Sequence, residues 1–452
     1  MRDGFNPAAR STGAASSRKP LSMSGSLNKL VAAAGRLSRM TNPKAHSDAV
    51  IDLTEFKRSK TMARAWEKHM RNSRRSRVDP FIVMDVMEAA RQAEAAGRHI
   101  IHMEVGQPGT GAPRGAAQAL AAQLAHNPMG YTVALGLPEL RQGIARLYDD
   151  WYGVDLNPDR VVVTSGSSGA FLLAFTSLFD SGDRVGIGAP GYPSYRQILS
   201  ALGMVPVDIE TAPEHRFQPV PDDLTGLDLS GLMVASPANP SGTMLGRDEL
   251  GALIDATRMG GMALISDEIY HGLEYEAKAV TALELSDDVY VINSFSKYFW
   301  MTGWRVGWMV VPQTHVRVVE RIAQNMFICP PHASQLAALE ALNCKQELDA
   351  NLEVYRQNRQ LMLEGLPLAG FTNIAPPDGA FYVYADVSDV TQDSRAFAAE
   401  ILNQAGVAVT PGLDFDKARG AGTLRFSYAR STEDIVEGLK RLTQFMAQRQ
   451  GV

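Results

Sequence analysis

The chain has 452 residues, of which 45% are hydrophobic and 21% are charged, and its formal net charge at pH 7 is −5. This balance is typical of a globular protein and excludes collagen-like, mucin-like and wholly disordered chains, and it argues against a broad nucleic-acid-binding surface. The two cysteines, Cys329 and Cys344, form no CxxC pair, and no apolar run is long enough for a membrane span. We therefore expect no disulfide framework, no metal site, and neither a membrane nor a nucleic-acid partner.

Residues 1–77 differ in composition from the rest and are treated as an N-terminal extension. Residues 4–47 contain no acid, seven Lys or Arg and eight Ser, and residues 57–77 contain nine basic residues and one acid. Three interpretations stay open: a disordered or wrongly included stretch with Met62 or Met70 as the true start, a folded arm that packs on a partner subunit, or an organelle transit peptide. We expect a cytoplasmic protein unless the third interpretation holds.

Beyond Pro80 the apolar pattern predicts helices and strands in regular alternation. The predicted helices cover residues 81–96, 138–152, 168–180, 193–202 and 247–259, and residues 314–366 are expected to be mostly helical. The predicted strands cover residues 99–105, 160–164, 184–188, 231–236, 263–266, 289–293 and 306–311, followed by strands near 380–385, 407–410 and 423–428 and a helix over 432–448. Because the first group of strands is continuously apolar, these strands should be buried on both faces of a mostly parallel sheet covered by helices.

Two domains are expected from this order of elements. A large domain with the mostly parallel sheet should cover residues 121–339, and a smaller α+β domain should combine residues 78–120 with residues 340–452. In open α/β sheets, ligands bind beyond the carboxyl ends of the strands. Polar clusters at those ends are therefore the candidates for a functional site.

The segment that follows the strand 160–164 is suited to an anion. Thr164-Ser165-Gly166-Ser167-Ser168 leads into a predicted helix, and the free N–H groups at a helix start attract phosphate. A serine-capped helix start explains the segment equally well. No Gly-Lys-Ser/Thr triplet follows, so the segment is not a P-loop.

Two basic residues follow the strand 289–293. Lys297, in Ser294-Phe295-Ser296-Lys297, is placed like a Schiff-base nucleophile, or like the lysine of an S-x-x-K acylase, which would need S-D-N and K-T-G triplets that the sequence lacks. Arg305, eight residues later, offers a planar fork to a phosphate or carboxylate. A structural lysine and a surface ion pair are the alternatives.

Three further side chains lie near strand ends. A carboxylate at Asp267, after a buried strand, is costly unless a cation such as a protonated pyridine nitrogen meets it, although a helix cap is the simpler explanation. Asn239 lies in Asn-Pro-Ser-Gly, which is also a good turn, and Arg425 alternates with apolar neighbours on a predicted strand, where arginines are often exposed. Together the clusters describe an aromatic cation that bears a phosphate and is held by a lysine, which points to pyridoxal phosphate.

The chain resembles the class I and II aminotransferases, pyridoxal-phosphate enzymes of fold type I that include aspartate aminotransferase. The resemblance runs from about Phe81 to the C-terminus. It rests on Ser-x-Ser-Lys followed by Thr-Gly-Trp-Arg-x-Gly, on Asn-Pro-Ser-Gly, on Ser-Asp-Glu-Ile-Tyr and on the Val-Gly-Gln-Pro that ends at Pro108. It implies an α/β fold of type I with a large domain and a smaller α+β domain, and an enzyme that moves an amino group between an L-amino acid and a 2-oxo acid.

The resemblance also implies a role for each matching residue. Lys297 would carry pyridoxal phosphate as a Schiff base and then act as a general base, Asp267 would pair with the pyridine nitrogen, and Tyr270 would hydrogen-bond the phenolic oxygen. The further cofactor-binding residues would be Tyr131, Ser167, Ser168, Tyr192, Asn239, Ser294, Ser296 and Arg305, and the substrate carboxylate would meet Gly106, Asn239 and Arg425. Since Tyr131 would reach the phosphate of a neighbouring subunit, a homodimer with shared active sites is expected.

The sequence leaves the substrate open. In aspartate-specific members an additional basic residue binds the side-chain carboxylate, and no motif marks one here, so aspartate, aromatic, alanine or broad specificity are all compatible with the sequence. A β-lyase or an amino-acid synthase on the same fold is the first alternative. A non-enzymatic regulator with an aminotransferase-like domain is the second, although no DNA-binding domain is evident in front of it.

Overall fold

The computed structural model describes residues 72–450, and the interpretations offered for residues 1–71 lie outside the described residues. Within the described part, no helix combines the length and the apolar character that crossing a bilayer requires. In chain order the elements are α1 (Ile82–Ala95), β1 (Ile101–His102), α2 (Arg114–Leu124), α3 (Pro138–Tyr152), β2 (Val161–Thr164), α4 (Gly166–Leu178), β3 (Arg184–Ala189), α5 (Pro193–Leu202), β4 (Val205–Glu210), β5 (Gly231–Ala235), α6 (Arg247–Met259), β6 (Ala263–Asp267), β7 (Tyr290–Ser294), β8 (Gly307–Val310), α7 (Val316–Met326), α8 (His332–Ala341), α9 (Lys345–Leu368), β9 (Asn373–Ile374), β10 (Tyr382–Asp386), α10 (Ser394–Ala405), β11 (Val407–Ala408), β12 (Thr410–Pro411), β13 (Thr423–Ser427) and α11 (Thr432–Gln450).

A seven-stranded sheet with the order β2-β8-β7-β6-β5-β3-β4 lies at the centre of the fold. All neighbouring strands are parallel except β8, which runs antiparallel to both β2 and β7. Val162 packs with Phe171 and Met309 in one apolar cluster, while Val161 and Val163 belong to another, so alternate residues of β2 enter different cores. The predicted α/β class, with a mostly parallel sheet buried on both faces, is confirmed.

Two smaller sheets involve the later strands. A four-stranded antiparallel sheet has the order β12-β13-β10-β9, and β1 pairs in parallel with β11. The strand predicted over 407–410 is interrupted at Val409, because its first half pairs with β1 and its second half with β13. The predicted division into domains at residues 120 and 340 stays a prediction.

Several elements differ from the sequence-based expectation. The edge strand β4 was not predicted, because it contains Pro206 and exposes side chains along most of its length. Helix α2 was not predicted either, since it is rich in alanine, buries only Ala116 and has no side-chain cap to mark its start. Helix α10 was also missing from the prediction, and α4 begins at Gly166 instead of Ser168.

The topology places the carboxyl ends of β2, β5, β6 and β7 at one edge of the sheet. Since β8 is antiparallel, it begins at this same edge, and the connection 295–306 that joins β7 to β8 lies there with Lys297 and Arg305. The predicted residues Ser167, Asn239, Asp267 and Lys297 thus lie at or near the ends of strands in this sheet.

Candidate active site

A cavity of about 490 Å³ opens at these strand ends. All of the predicted site residues except Ser294 and Tyr131 line it: Gly106, Ser167, Ser168, Tyr192, Asn239, Asp267, Tyr270, Ser296, Lys297, Arg305 and Arg425. The remaining wall is formed by Phe81, Val83, Met84, Met87, Val105, Gln107, Phe171, Tyr195, Ile269, Thr302 and Tyr382. The structure therefore brings together side chains that are distributed over more than 300 positions of the sequence.

Lys297 lies at the centre of this cavity. Phe295, two residues before Lys297, is buried against Phe299 and Trp308 and anchors the start of the connection 295–306. The Lys297 Nζ donates a hydrogen bond of 2.6 Å to the carbonyl of Gly106. Burial, together with the positive charge of Arg425, lowers the pKa of Lys297 to about 7. Near neutral pH, a large share of this amine is therefore unprotonated and nucleophilic.

Asp267 ends β6 and is buried at the cavity wall. Its carboxylate accepts hydrogen bonds from the hydroxyl of Tyr195 and, at 3.1 Å, from the backbone N–H of Ile269. Burial nevertheless raises the pKa of Asp267 to about 6, since these donors and Lys297 only partly offset the loss of water. A cationic ring nitrogen placed here would stabilise the carboxylate.

The next residue, Glu268, is also buried but does not line the cavity. Its Oε1 accepts hydrogen bonds from Ala282 N at 2.8 Å and Ser266 Oγ at 3.1 Å. Burial raises the pKa of Glu268 to about 8, so that this carboxyl is mostly neutral at pH 7 and adds little charge beside Asp267. Of the two adjacent acids, Asp267 is the one that can meet a ligand.

The start of α4 and Arg305 together form a corner suited to an anion. Gly166 has a φ of +70°, and a Cβ at this position would lie 2.3 Å from Nη2 of Arg305, so only glycine allows the guanidinium to approach. Ser167 and Ser168 lie in the first turn of α4, where backbone N–H groups are free. A helix start, two hydroxyls and an arginine are the groups that bind phosphate.

Ser294 and Tyr131 do not lie on the cavity surface. Ser294 is buried, and its hydroxyl is 2.8 Å from that of Ser296 and donates at 3.1 Å to the carbonyl of Val306. It therefore supports Ser296, which does line the cavity. Tyr131 is 83% exposed, and its predicted role at a neighbouring subunit stays a prediction.

Arg425 lies on β13 with its side chain buried, in contrast to the exposed position that is common for strand arginines. Nη1 donates to Asn239 Oδ1 at 2.8 Å, and Nη2 donates to the carbonyl of Glu104 at 2.5 Å and to Thr410 Oγ1 at 3.2 Å. The guanidinium carbon lies 4.3 Å from the ring centre of Tyr382 and 4.7 Å from that of Phe415. Its Nε is buried and has no hydrogen-bond partner among the residues that the structure describes.

Tyr382 was missed by the sequence analysis although it contacts three predicted site residues. Its hydroxyl is 2.7 Å from that of Tyr270, and its ring stacks under Arg425. A Cβ on Gly106 would lie 1.7 Å from this hydroxyl, which explains the glycine there. The β10–β13 register pairs Tyr382 with Ser427, two residues from Arg425 on the same face, and this two-residue period is the signal that could have found it.

Tyr195 was missed as well, although it binds Asp267. It follows Tyr192, the N-cap residue of α5, by three residues, and the two ring centres are 5.2 Å apart. Tyr192 also meets Phe81 edge to face at 5.8 Å. Tyr192 therefore lines the cavity and is held by two aromatic neighbours, Phe81 and Tyr195.

One part of the wall is apolar and comes from the start of α1. Phe81, Val83, Met84 and Met87 line the cavity there, and its lining residues include three cations, Lys297, Arg305 and Arg425. The predicted roles assign Lys297 to the cofactor, Arg305 to its phosphate and Arg425 to the substrate carboxylate. No further lining residue in the described part of the chain is basic, and the α1 wall offers carbon atoms and a thioether to a ligand.

Comparisons with known proteins agree with this arrangement. The family model described as aminotransferase class I and II matches residues 98–442. Valine–pyruvate aminotransferase of Mycobacterium tuberculosis is 48% identical over 378 residues, which cover 82% of this chain and 97% of that protein. Aspartate/prephenate aminotransferase of Thermus thermophilus is 32% identical over 375 residues, which cover 81% and 96% of the two chains. A solved structure from Silicibacter pomeroyi, assigned to the aminotransferases, is 76% identical, has a TM-score of 0.81 and is matched over 84% of this chain and 100% of that chain.

Proposed function

The chain belongs to the class I and II aminotransferase family and is an aminotransferase, and we propose that its amino donors are amino acids with apolar side chains, such as valine. We propose that it uses pyridoxal phosphate bound to Lys297 for this reaction. The observation that carries the substrate class is the α1 wall of Phe81, Val83, Met84 and Met87. The family supports pyridoxal phosphate as the cofactor.

The cavity residues fit this cofactor group by group. Ser167, Ser168, Ser296 and Arg305 would hold its phosphate, and Ser294 would act by holding Ser296. Asp267 would face the ring nitrogen, and Tyr192 would cover one ring face. Tyr270, whose pKa is raised by burial so that its hydroxyl keeps its proton, would donate to the phenolic oxygen together with Asn239.

Pyridoxal phosphate, when bound, supplies an electron sink for breaking a bond at the substrate α-carbon. Lys297 supplies an amine with a pKa near 7, which can hold the cofactor covalently and can take a proton from the substrate α-carbon once it is released. Asp267 keeps its charge when a cationic nitrogen faces it, because the pair removes the penalty of burial. Lys297, Asp267 and Tyr270 are therefore the proposed catalytic residues.

Arg425 is proposed to bind the substrate α-carboxylate. The planar guanidinium lines the cavity and is held by Asn239, the Glu104 carbonyl and Thr410. A guanidinium held in one position would both attract the substrate carboxylate and fix its orientation. The fixed carboxylate would in turn orient the α-carbon hydrogen toward Lys297. The Gly106 carbonyl, which now accepts from Lys297, lies on the same side of the cavity.

The apolar wall sets the proposed preference among donors. A valine side chain can be buried against Val83, Met84 and Met87, whereas a side-chain carboxylate would lose water there without meeting a cation of the cavity lining. The Mycobacterium tuberculosis relative is named for valine and pyruvate, which supports the same preference. Pyruvate, with a methyl group, would also leave this wall undisturbed.

We further propose a cytoplasmic homodimer. Tyr131 is exposed, and its neighbour Gly130 has its carbonyl oxygen 2.9 Å from Nδ1 of His332. Ile328, four residues before His332, is also exposed, so that exposed tyrosine and apolar side chains lie on two segments that are in contact. A partner subunit on this surface would bring its Tyr131 to the phosphate corner. The two cysteines are unpaired, which suits a reducing compartment.

The test is a half-reaction screen in which holoenzyme is mixed with single amino acids and the cofactor spectrum is followed. We expect valine to convert the cofactor at least about tenfold more efficiently than aspartate, since an unpaired carboxylate in an apolar site costs more than 1.4 kcal/mol. Met87→Arg should raise the aspartate rate, and Met259→Arg, on the exposed end of α6, is the matched control. A preference for aspartate over valine in the wild-type chain would refute the proposed substrate class.

A further inference from the structure

We propose that Asp414 is a positioning residue for substrate specificity, because it holds the first turn of α1 against the side-chain end of the cavity. The inference rests on the proposed function in one respect only, the assignment of the α1 wall to the substrate side chain. The contact itself is independent of that assignment.

The start of α1 has no cap of its own. Phe81 occupies the N-cap position and offers no side-chain acceptor to the free N–H groups of the first turn. Asp414 supplies both acceptors from a distant part of the chain: Oδ1 accepts from Ile82 N at 3.0 Å and Oδ2 accepts from Val83 N at 3.1 Å. A carboxylate at a helix N-terminus also meets the positive end of the helix dipole.

The two ends of α1 are held in different ways. Its later residues Val86, Ala90 and Ala93 pack with Ile100 and Ala408 in an apolar cluster, which fixes the helix to the β1–β11 pair. Its first turn instead borders the cavity, and Met84 there is 54% exposed. Asp414 therefore holds the backbone of this first turn in addition to the packing of the buried Val83 and the contact of Phe81 with Tyr192.

Asp414 also stands next to the carboxylate-binding group. The following residue, Phe415, places its ring 4.7 Å from the Arg425 guanidinium carbon. One short segment, residues 412–415, thus contacts both the group proposed to bind the α-carboxylate and the helix that forms the side-chain wall. Removing the Asp414 carboxylate should loosen the wall while leaving Arg425 and its partners in place.

Amino donors with side chains of different size should respond differently to a loosened α1 wall. The side chain of valine reaches the α1 wall, so its binding should suffer when the wall is loose. The single methyl group of alanine has little contact with the wall, so alanine should be converted almost as before. A general loss of folding or of cofactor binding would affect both donors alike.

The experiment compares Asp414→Ala and Asp414→Asn with Asp393→Ala in the full chain. Asp393 caps α10 through Ala396 N at 3.0 Å, and α10 packs beside residues 412–414, so this control removes a similar cap in the same neighbourhood. Hydrogen exchange is measured on chain without cofactor. Peptides from the start of α1 should exchange about tenfold faster in Asp414→Ala and as in wild type in Asp393→Ala.

In the holoenzyme, kcat/KM for valine should fall about tenfold in Asp414→Ala, with alanine changed less than about twofold. Asp414→Asn, which has one acceptor oxygen in place of two, should give an intermediate effect and serves if the alanine variant does not fold. Unchanged exchange at α1, or equal losses for valine and alanine, would overturn the proposal. If the wild-type enzyme converted neither donor, the proposed substrate class would fall, and the exchange experiment would still decide whether Asp414 holds α1.

Discussion

The two sides of the cavity differ in how the chain builds them. On the cofactor side, Ser167, Asp267 and Lys297 each follow a strand of one sheet, and the strands are neighbours or nearly so. On the substrate side, α1 precedes the strands of the large sheet in the sequence and Tyr382 and Arg425 follow them; Tyr382 lies against Arg425, and Asp414 binds the first turn of α1. Short motifs are enough to specify the first side, whereas the second depends on contacts between segments far apart in sequence.

The largest effect should come from breaking the cofactor side at Lys297. Lys297→Ala removes the amine that both holds the cofactor and moves the proton, so kcat should fall by about 10⁴-fold or more. Steady-state transamination and borohydride tagging followed by peptide mass spectrometry check this. Lys345→Ala, at an exposed lysine, should keep both activity and tagging at position 297. Transamination that survived in Lys297→Ala would contradict the assignment.

Breaking the substrate side at Arg425 should have the next largest effect. Arg425→Lys keeps a charge but loses the planar fork held by Asn239 and Thr410, so kcat/KM for valine should fall about a hundredfold. The cofactor spectrum should not change. Arg449→Lys is the matched control, because Arg449 also lies over an aromatic ring, that of Phe397, away from the cavity. Loss of the cofactor spectrum in Arg425→Lys would show that the two sides are not separable.

The pH dependence of cofactor uptake tests a link between the sides. The pKa of Lys297 is lowered to about 7, so the amine holds its proton below pH 7, and uptake by apoprotein should fall about tenfold for each pH unit below that and level off above it. Arg425 is one cause of the lowering, so Arg425→Gln should move the midpoint to higher pH. Identical midpoints in the two proteins would argue against electrostatic coupling across the cavity.

The smallest effect is expected at Tyr382, where the two sides touch. Tyr382→Phe removes the hydroxyl 2.7 Å from that of Tyr270 and should lower kcat/KM about fivefold, the worth of one hydrogen bond of ~1 kcal/mol. The ring under Arg425 remains. If the hydroxyls act together, the double variant with Tyr270→Phe should lose less than the product of the single losses. Simple multiplicative losses would mean that the two tyrosines act independently.

The same contrast explains what could be predicted from the sequence. Strand ends with polar residues identified Asp267, Asn239 and Lys297, because a buried strand is a local pattern and its end lies at a known edge of the sheet. Arg425 was a candidate because it alternates with apolar neighbours on a predicted strand, but its carboxylate-binding role came only from the resemblance, since alternation alone cannot tell a buried from an exposed face. The spacing of Tyr195 from Tyr192 and the strand period of Tyr382 are weak signals and Asp414 has none, because each of the three acts through a partner that is distant in sequence.

The antiparallel strand β8 has a consequence for how this site can change. Because β7 and β8 are joined directly at the edge where the cavity opens, one connection carries both Lys297, the proposed nucleophile, and Arg305, which is proposed to bind the phosphate. A parallel return would have needed a crossover to the opposite edge and would have separated the two groups. Nucleophile and anion hook are therefore inherited as one cassette: an insertion or deletion between them shifts both at once, and a graft into a related scaffold would have to carry the hairpin whole.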